Sequence, residues 1–245
     1  MCDECGCGFP EPSIAHPHDH GHSHAHATGA RVLEIRRDVL AANDALAARN
    51  RDWLRERRAV AVNLISSPGA GKTTLLERTL RELRGGERPL AVVEGDQQTD
   101  NDARRIAATG VAVVQINTGA SCHLNAHQVG HALLDLDPPA GALVFVENVG
   151  NLICPAGFDL GQTADVTVLS VTEGDDKPEK YPQAFHEADA MVLSKIDLLP
   201  HLDFDADRAE RFARALNPDL PTFHLSAKTG EGLQRWLGWL AGLGA

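Results

Sequence analysis

Three thiols fall within the first seven residues, Cys2, Cys5 and Cys7. Thiolates favour soft or borderline ions such as Ni2+, Zn2+ or Cu+, and three sulfurs call for a fourth donor. The chain's own amine is close enough to serve if Met1 is removed. A square-planar sulfur–nitrogen set suits Ni2+ and a tetrahedral one suits Zn2+; the spacing leaves both open. Imidazoles follow at alternate positions, His16, His18, His20, His22, His24 and His26. Such a row would hold nickel, zinc or copper loosely, as a store or relay. Farther along, Cys122-His123 and Cys154 suggest a second, internal metal site. His127 and His131 follow His123 at i+4 and i+8, so one helix would place all three on one face; they are read as surface histidines.

A different chemistry starts at Ser66-Ser67-Pro68-Gly69-Ala70-Gly71-Lys72-Thr73. A glycine-rich turn between strand and helix lets backbone N–H groups wrap phosphates, and the helix N-terminus adds a favourable dipole. Pro68, Gly69, Ala70, Gly71 and Thr74 belong to this nucleotide cradle. Lys72 supplies a point charge and Thr73 a hydroxyl for Mg2+. Ser66 stands where the pattern has its first glycine. Base recognition is expected from Ser194-Lys195-Ile196-Asp197 and from Ser226-Ala227-Lys228. The Asp197 carboxylate can accept two hydrogen bonds that guanine offers and adenine does not, so GTP is expected over ATP. Asp96 lies just past one predicted strand and Glu147 at the end of another. With Lys72 they form the expected catalytic set: Asp96 orients the attacking water, and Thr73, Asp96 and Glu147 hold Mg2+. For Asp100 and Asp102 a solvated helix start, where acids suit the dipole, competes at least evenly with a part in that set. No arginine in these motifs stands out to stabilise transition-state charge, so slow turnover is expected.

These residues need a scaffold. Residues 1–28 are rich in Gly, Pro and His with little to bury, and are read as a flexible metal-binding tail. Residues 29–245 are expected to form a single domain. It would open with an amphipathic helix over about 31–58, whose stripe includes Val39, Ala42, Leu46, Ala47, Trp53 and Leu54. Buried-strand candidates are 60–66, 90–94, 111–116, 142–147, 165–171, 190–194 and 221–226. Helical patterns lie between them, near 73–84, 100–109, 123–136, 179–187, 205–216 and 230–242. Short β-branched runs alternating with helices predict an α/β fold, a mostly parallel sheet with helices on both faces. Ligands of such sheets bind at the carboxyl ends of the strands, where every motif above falls.

Composition narrows the function classes. A net charge of −11 argues against a general nucleic-acid binder. No run of about 18 apolar residues predicts a membrane span, and no signal peptide is visible, so the cytoplasm is expected. Five cysteines in 245 residues, mostly clustered, read as metal ligands rather than a disulfide framework.

The chain resembles the HypB family of hydrogenase nickel-incorporation GTPases. The resemblance rests on the N-terminal Cys-x-x-Cys-x-Cys, Ser67 to Thr74, Glu94-Gly95-Asp96-Gln97, Gly119-Ala120-Ser121-Cys122-His123-Leu124 and Glu147-Asn148-Val149-Gly150-Asn151-Leu152. It implies a P-loop GTPase that uses GTP, Mg2+ and nickel and forms a homodimer with GTP. Its role would be to help insert nickel into the [NiFe]-hydrogenase large subunit, alongside other maturation proteins. It also implies a tight nickel site at Cys2, Cys5 and Cys7 and a weaker nickel or zinc site at Cys122, His123 and Cys154. Two such faces could share a bridging metal across a symmetric dimer. Two alternatives are a urease-maturation GTPase, which typically has Cys-Pro-His where this chain has Cys122-His123, and a nickel store with a vestigial engine.

Overall fold

The structure, a computed structural model, describes residues 25–97 and 99–244, with side-chain surroundings from residue 39 onward. Cys2, Cys5, Cys7 and the histidines from His16 to His24 lie outside the described residues, as does the His26 side chain.

Seven strands form one fully parallel sheet: β1 Val60–Ser66, β2 Leu90–Asp96, β3 Ala112–Asn117, β4 Leu143–Glu147, β5 Ala164–Ser170, β6 Ala190–Ser194 and β7 Thr222–His224. Their order is β3-β2-β4-β1-β5-β6-β7. The chain builds one edge from β1 to β3, returns to β4, and then crosses β1 to build the other edge. Ligands bind where the winding direction reverses, and that place is the carboxyl end of β1. All residues of β1 and β4 are buried, as expected for strands covered on both faces.

Eight helices cover the sheet: α1 Ala25–Glu56, α2 Lys72–Leu83, α3 Asn101–Ala107, α4 Ala126–Leu136, α5 Lys177–Lys180, α6 Pro182–His186, α7 Ala206–Leu216 and α8 Leu233–Gly242. On one face Val62, Leu64, Phe145 and Val168 pack with Leu75, Leu76 and Leu80 of α2 and Trp236 of α8. On the other, Val93, Val144 and Val146 pack with Leu54 of α1 and Val129 and Leu133 of α4. Each such fully buried side chain contributes about 1.5–3 kcal/mol. Among the described residues, no helix is long and apolar enough to cross a membrane.

Four details differ from the sequence reading. Helix α1 begins at Ala25, inside the segment read as tail. Its stripe is partly polar: Ala42 is exposed, while Asn43 and Asn50 are buried beside Ala47 and Leu54. Asn43 donates to the Asp159 carbonyl (2.7 Å) and accepts from the Ala126 N–H (2.9 Å). Asn50 donates to the carbonyls of Ala126 (2.7 Å) and Leu160 (2.9 Å). The segment read as one helix over 179–187 is two, because Pro182 lacks an N–H and starts a new turn. Finally, α4 starts at Ala126, where Asn125 and Gln128 form a reciprocal capping box. His123 therefore precedes the helix and is buried, so it does not share a helix face with the exposed His127 and His131.

Candidate nucleotide and metal site

The turn after β1 takes its shape from Gly69 (φ 77°) and Gly71 (φ 95°), both left-handed, a region side chains with a Cβ rarely adopt. This turn delivers Lys72 and Thr73 to the N-terminus of α2. The serine at the first pattern glycine has a use: the Lys72 Nζ donates to the buried Ser66 Oγ at 3.0 Å. Burial lowers the Lys72 pKa, and the charges of Glu147 and Glu94 oppose that shift.

Thr73 Oγ1 donates to Glu147 Oε1 at 2.7 Å. Glu147, Glu94 and Asp102 bring one carboxylate oxygen each to within 4.8 Å of one another. Burial, reinforced by the Glu147 charge, pushes Glu94 up to about 10. Burial also raises Glu147, against the pull of Lys72 and Thr73. The Oε2 atoms of both glutamates are buried without a hydrogen-bond partner. Two buried acidic oxygens beside a threonine hydroxyl fit a hard divalent cation of the Mg2+ type, whose charge would let both carboxylates ionise. Thr73, Glu94, Asp102 and Glu147 are the residues placed to hold it. Asp96 borders the same cavity of about 410 Å3. Its carboxylate accepts from the Gln97 N–H (2.7 Å), the Thr99 N–H (2.9 Å) and Thr99 Oγ1 (2.6 Å), so it is set in its own turn at the rim.

A second cavity of about 230 Å3 adjoins the first and shares Ala70, Gly71, Thr74 and Lys195 with it. Asp197, Ser226, Ala227 and Lys228 line it, as the base reading requires. Ser226 Oγ donates to Asp197 Oδ1 at 2.6 Å and so orients the carboxylate. Ser194 Oγ donates to the Ala70 carbonyl at 2.8 Å, and Lys195 Nζ to the Gly69 carbonyl at 2.6 Å. The strand end that carries Asp197 is thereby tied to the phosphate loop, and serine suffices for the tie.

Cys122, His123 and Cys154 offer ligand atoms within 4.8 Å of one another. The His123 ring lies against Phe158, centroids 4.0 Å apart. Burial lowers the His123 pKa to about 4, so the imidazole stays neutral and fit to bind a metal. Two contacts connect this cluster to the carboxylates. Asn148, next to Glu147, accepts the Leu124 N–H at 3.0 Å, and Leu124 is next to His123. The Leu124 side chain also fills the space above Gly95, where a Cβ would come within 2.8 Å of it.

A family described as "CobW/HypB/UreG, nucleotide-binding domain" matches residues 60–224. The hydrogenase maturation factor HypB of Azotobacter vinelandii is 58% identical over 211 residues, 86% of this chain and 69% of that protein. This chain belongs to the HypB family of hydrogenase maturation factors. Two HypB crystal structures share the fold and sequence. That of Archaeoglobus fulgidus has 39% identity and a TM-score of 0.78, covering 84% of this chain and all of that one. That of Helicobacter pylori HypB in complex with nickel has 38% identity and a TM-score of 0.75, covering 81% and 93%. The HypB-family match at 60–224 takes in the phosphate loop, the three carboxylates, the cysteine–histidine cluster and Asp197. Ser226, Ala227, Lys228 and α1 lie outside it.

Three residues of this HypB-family site were missed or misread in the sequence. Glu94 was passed over for Asp96, two positions on in the same motif. Asp102, left open between a solvated helix start and a part in the switch, brings a carboxylate oxygen into the cluster with Glu94 and Glu147, from a helix that packs on β2 and β3. Arg105, one turn later, borders the phosphate cavity. It donates to Thr74 Oγ1 (3.1 Å), Glu77 (2.9 Å) and Asp102 (3.2 Å). The i, i+3 spacing of Asp102 and Arg105 was the available signal, but only the sheet order shows which way that face points.

Proposed function

We propose that this chain is a GTP-hydrolysing nickel metallochaperone acting in the cytoplasm. It would help load the [NiFe]-hydrogenase large subunit together with other maturation proteins, as a homodimer when GTP is bound. The observation that carries the reading is the Asn148–Leu124 link, which joins the carboxylate end of β4 to the Cys122–His123–Cys154 cluster. The nickel in the Helicobacter pylori relative supports the choice of cargo.

In this mechanism the loop N–H groups of residues 69–73 bind the phosphates, and Lys72 exchanges Ser66 Oγ for a phosphate oxygen. Asp197 selects guanine. Mg2+, held by Thr73, Glu94, Asp102 and Glu147, would offset charge on the phosphates. Asp96, at the rim, orients the water. The water oxygen bonds to the γ-phosphorus, the bond to the β-bridging oxygen breaks, and GDP and phosphate leave with the water's proton. When the carboxylate cluster changes its occupant, Asn148 and Gly95 move against Leu124 and so alter the metal loop. Residues 1–28 act as the tail: Cys2, Cys5 and Cys7 hold nickel tightly, and the histidine row stores it. Zinc can occupy the internal cluster in place of nickel.

The test is nickel affinity of a Cys2/Cys5/Cys7→Ser variant with GDP and with a non-hydrolysable GTP analogue. Different affinities are expected, since a ligand that binds both states equally shifts nothing. Identical affinities would refute the coupling, and normal hydrolysis by Lys72→Ala would refute the engine.

A further inference from the structure

One cation at the nucleotide site belongs to none of its motifs. Among the described residues, three basic side chains line the phosphate cavity: Lys72, Arg105 and Lys195. Lys72 belongs to the phosphate loop, and Lys195 Nζ is tied to the Gly69 carbonyl. Arg105 reaches the cavity from α3. Its guanidinium is held but not used up. Nη2 donates to Thr74 Oγ1 (3.1 Å) and Glu77 Oε2 (2.9 Å), and Nη1 to Asp102 Oδ1 (3.2 Å). A guanidinium has five N–H donors. The Nε–H and one Nη1–H of Arg105 are left for a ligand, on a side chain that is 41% exposed.

Thr74 fixes where along a nucleotide that ligand lies. It lines both the phosphate cavity and the base cavity, as do Ala70, Gly71 and Lys195. A nucleotide that fills both must cross this shared rim with the phosphates nearest its base, the two that remain on GDP. Arg105 therefore faces the leaving group and not the attacking water.

We propose that Arg105 is a further catalytic residue, a guanidinium supplied by the chain itself that stabilises charge on the departing GDP. The proposal rests on the GTPase reading. Arg105 makes and breaks no bond. As the bond to the β-bridging oxygen breaks, negative charge collects on the GDP oxygens. A positioned donor there is worth more in the transition state than in bound GTP. Glu77 and Asp102 hold the guanidinium in place beforehand, which saves reorganisation, while their charges offset part of its own.

The test compares the full chain with Arg105→Gln and Arg105→Lys. Single-turnover GTP hydrolysis is measured with Mg2+, and affinity by titration with GDP and with a non-hydrolysable GTP analogue. In Arg105→Gln the single-turnover rate should fall on the order of 10–10²-fold. GDP affinity should fall on the order of tenfold and analogue affinity by less than about threefold, because GDP carries the charge that Arg105 meets. Arg105→Lys keeps the charge without the fork, so the same losses should appear in smaller measure. It carries the test if the glutamine chain does not fold. An unchanged rate, or an equal loss of affinity for both nucleotides, would reduce Arg105 to a tie between α2 and α3 and overturn the proposal alone. No hydrolysis by the unaltered chain would overturn the GTPase reading and this proposal together.

Discussion

Glu94→Gln should stabilise the metal-free protein while impairing the loaded one. Glu94 has a folded pKa of about 10 against an ordinary 4.5, chiefly because it is buried, with Glu147 adding to the shift. A carboxyl raised in this way contributes stability that is complete below pH 4.5 and is lost as pH climbs toward 10. At pH 7.5, three units above the unfolded value, the loss is about 4 kcal/mol at 1.36 kcal/mol per unit. Glutamine has the same shape without the charge, but its amide must also be buried without assured partners, which reduces the net gain to roughly 2 kcal/mol. For a domain of this size that corresponds to about 4–8 °C in Tm. Thermal melts in EDTA should show the variant slightly below wild type at pH 5, close to it at pH 6.5 and clearly above it at pH 8. With Mg2+ and GDP the order should reverse, since the wild-type carboxylate then has its cation. A variant that melts lower than wild type in EDTA at pH 8, or whose advantage is the same at pH 5 and pH 8, would refute this account of the cluster.

Asn148→Ala should lose about 1–3 kcal/mol of stability, leaving the Leu124 N–H unpaired. It should also abolish any nucleotide dependence of metal affinity at Cys122, His123 and Cys154, as read by metal titration with each nucleotide. Asp197→Asn turns one acceptor into a donor; GTP affinity should fall on the order of 10³-fold while xanthosine triphosphate gains, measured by competition binding. The lowered His123 pKa means metal-free protein should lose stability as pH falls from 6.5 toward 4, because the unfolded chain takes up the proton first. In His123→Gln that part of the slope should vanish from denaturation midpoints.

Much of this was legible in the sequence because its signals are local. The strand runs of β1, β2, β4 and β6 and the glycines at 69 and 71 carry their own physics, and Cys122, His123 and Cys154, singled out by type, do lie together. What escaped depends on packing. Asp102 and Arg105 look like any charged face of a short helix until packing on β2 and β3 brings α3 beside Glu94. Asn43 and Asn50 broke the apolar stripe of α1 because their partners lie more than seventy residues away. The capping box at Asn125 was written in the sequence, and applying it would have taken His123 off the helix.

Those two asparagines have a further bearing on the metal cluster. Asn50 bridges Ala126, just past His123, to Leu160, just past Cys154; Asn43 repeats the bridge two turns earlier, to Ala126 and Asp159. The two loops that supply the sulfurs are thus spaced by a helix that supplies no ligand. Metal–ligand distances in working sites are held to about 0.2 Å, so with a metal in the cluster the spacing that α1 imposes would weigh on which ionic radius fits. A substitution at Asn50 would then surface as a change of metal preference, in a residue that touches neither metal nor nucleotide.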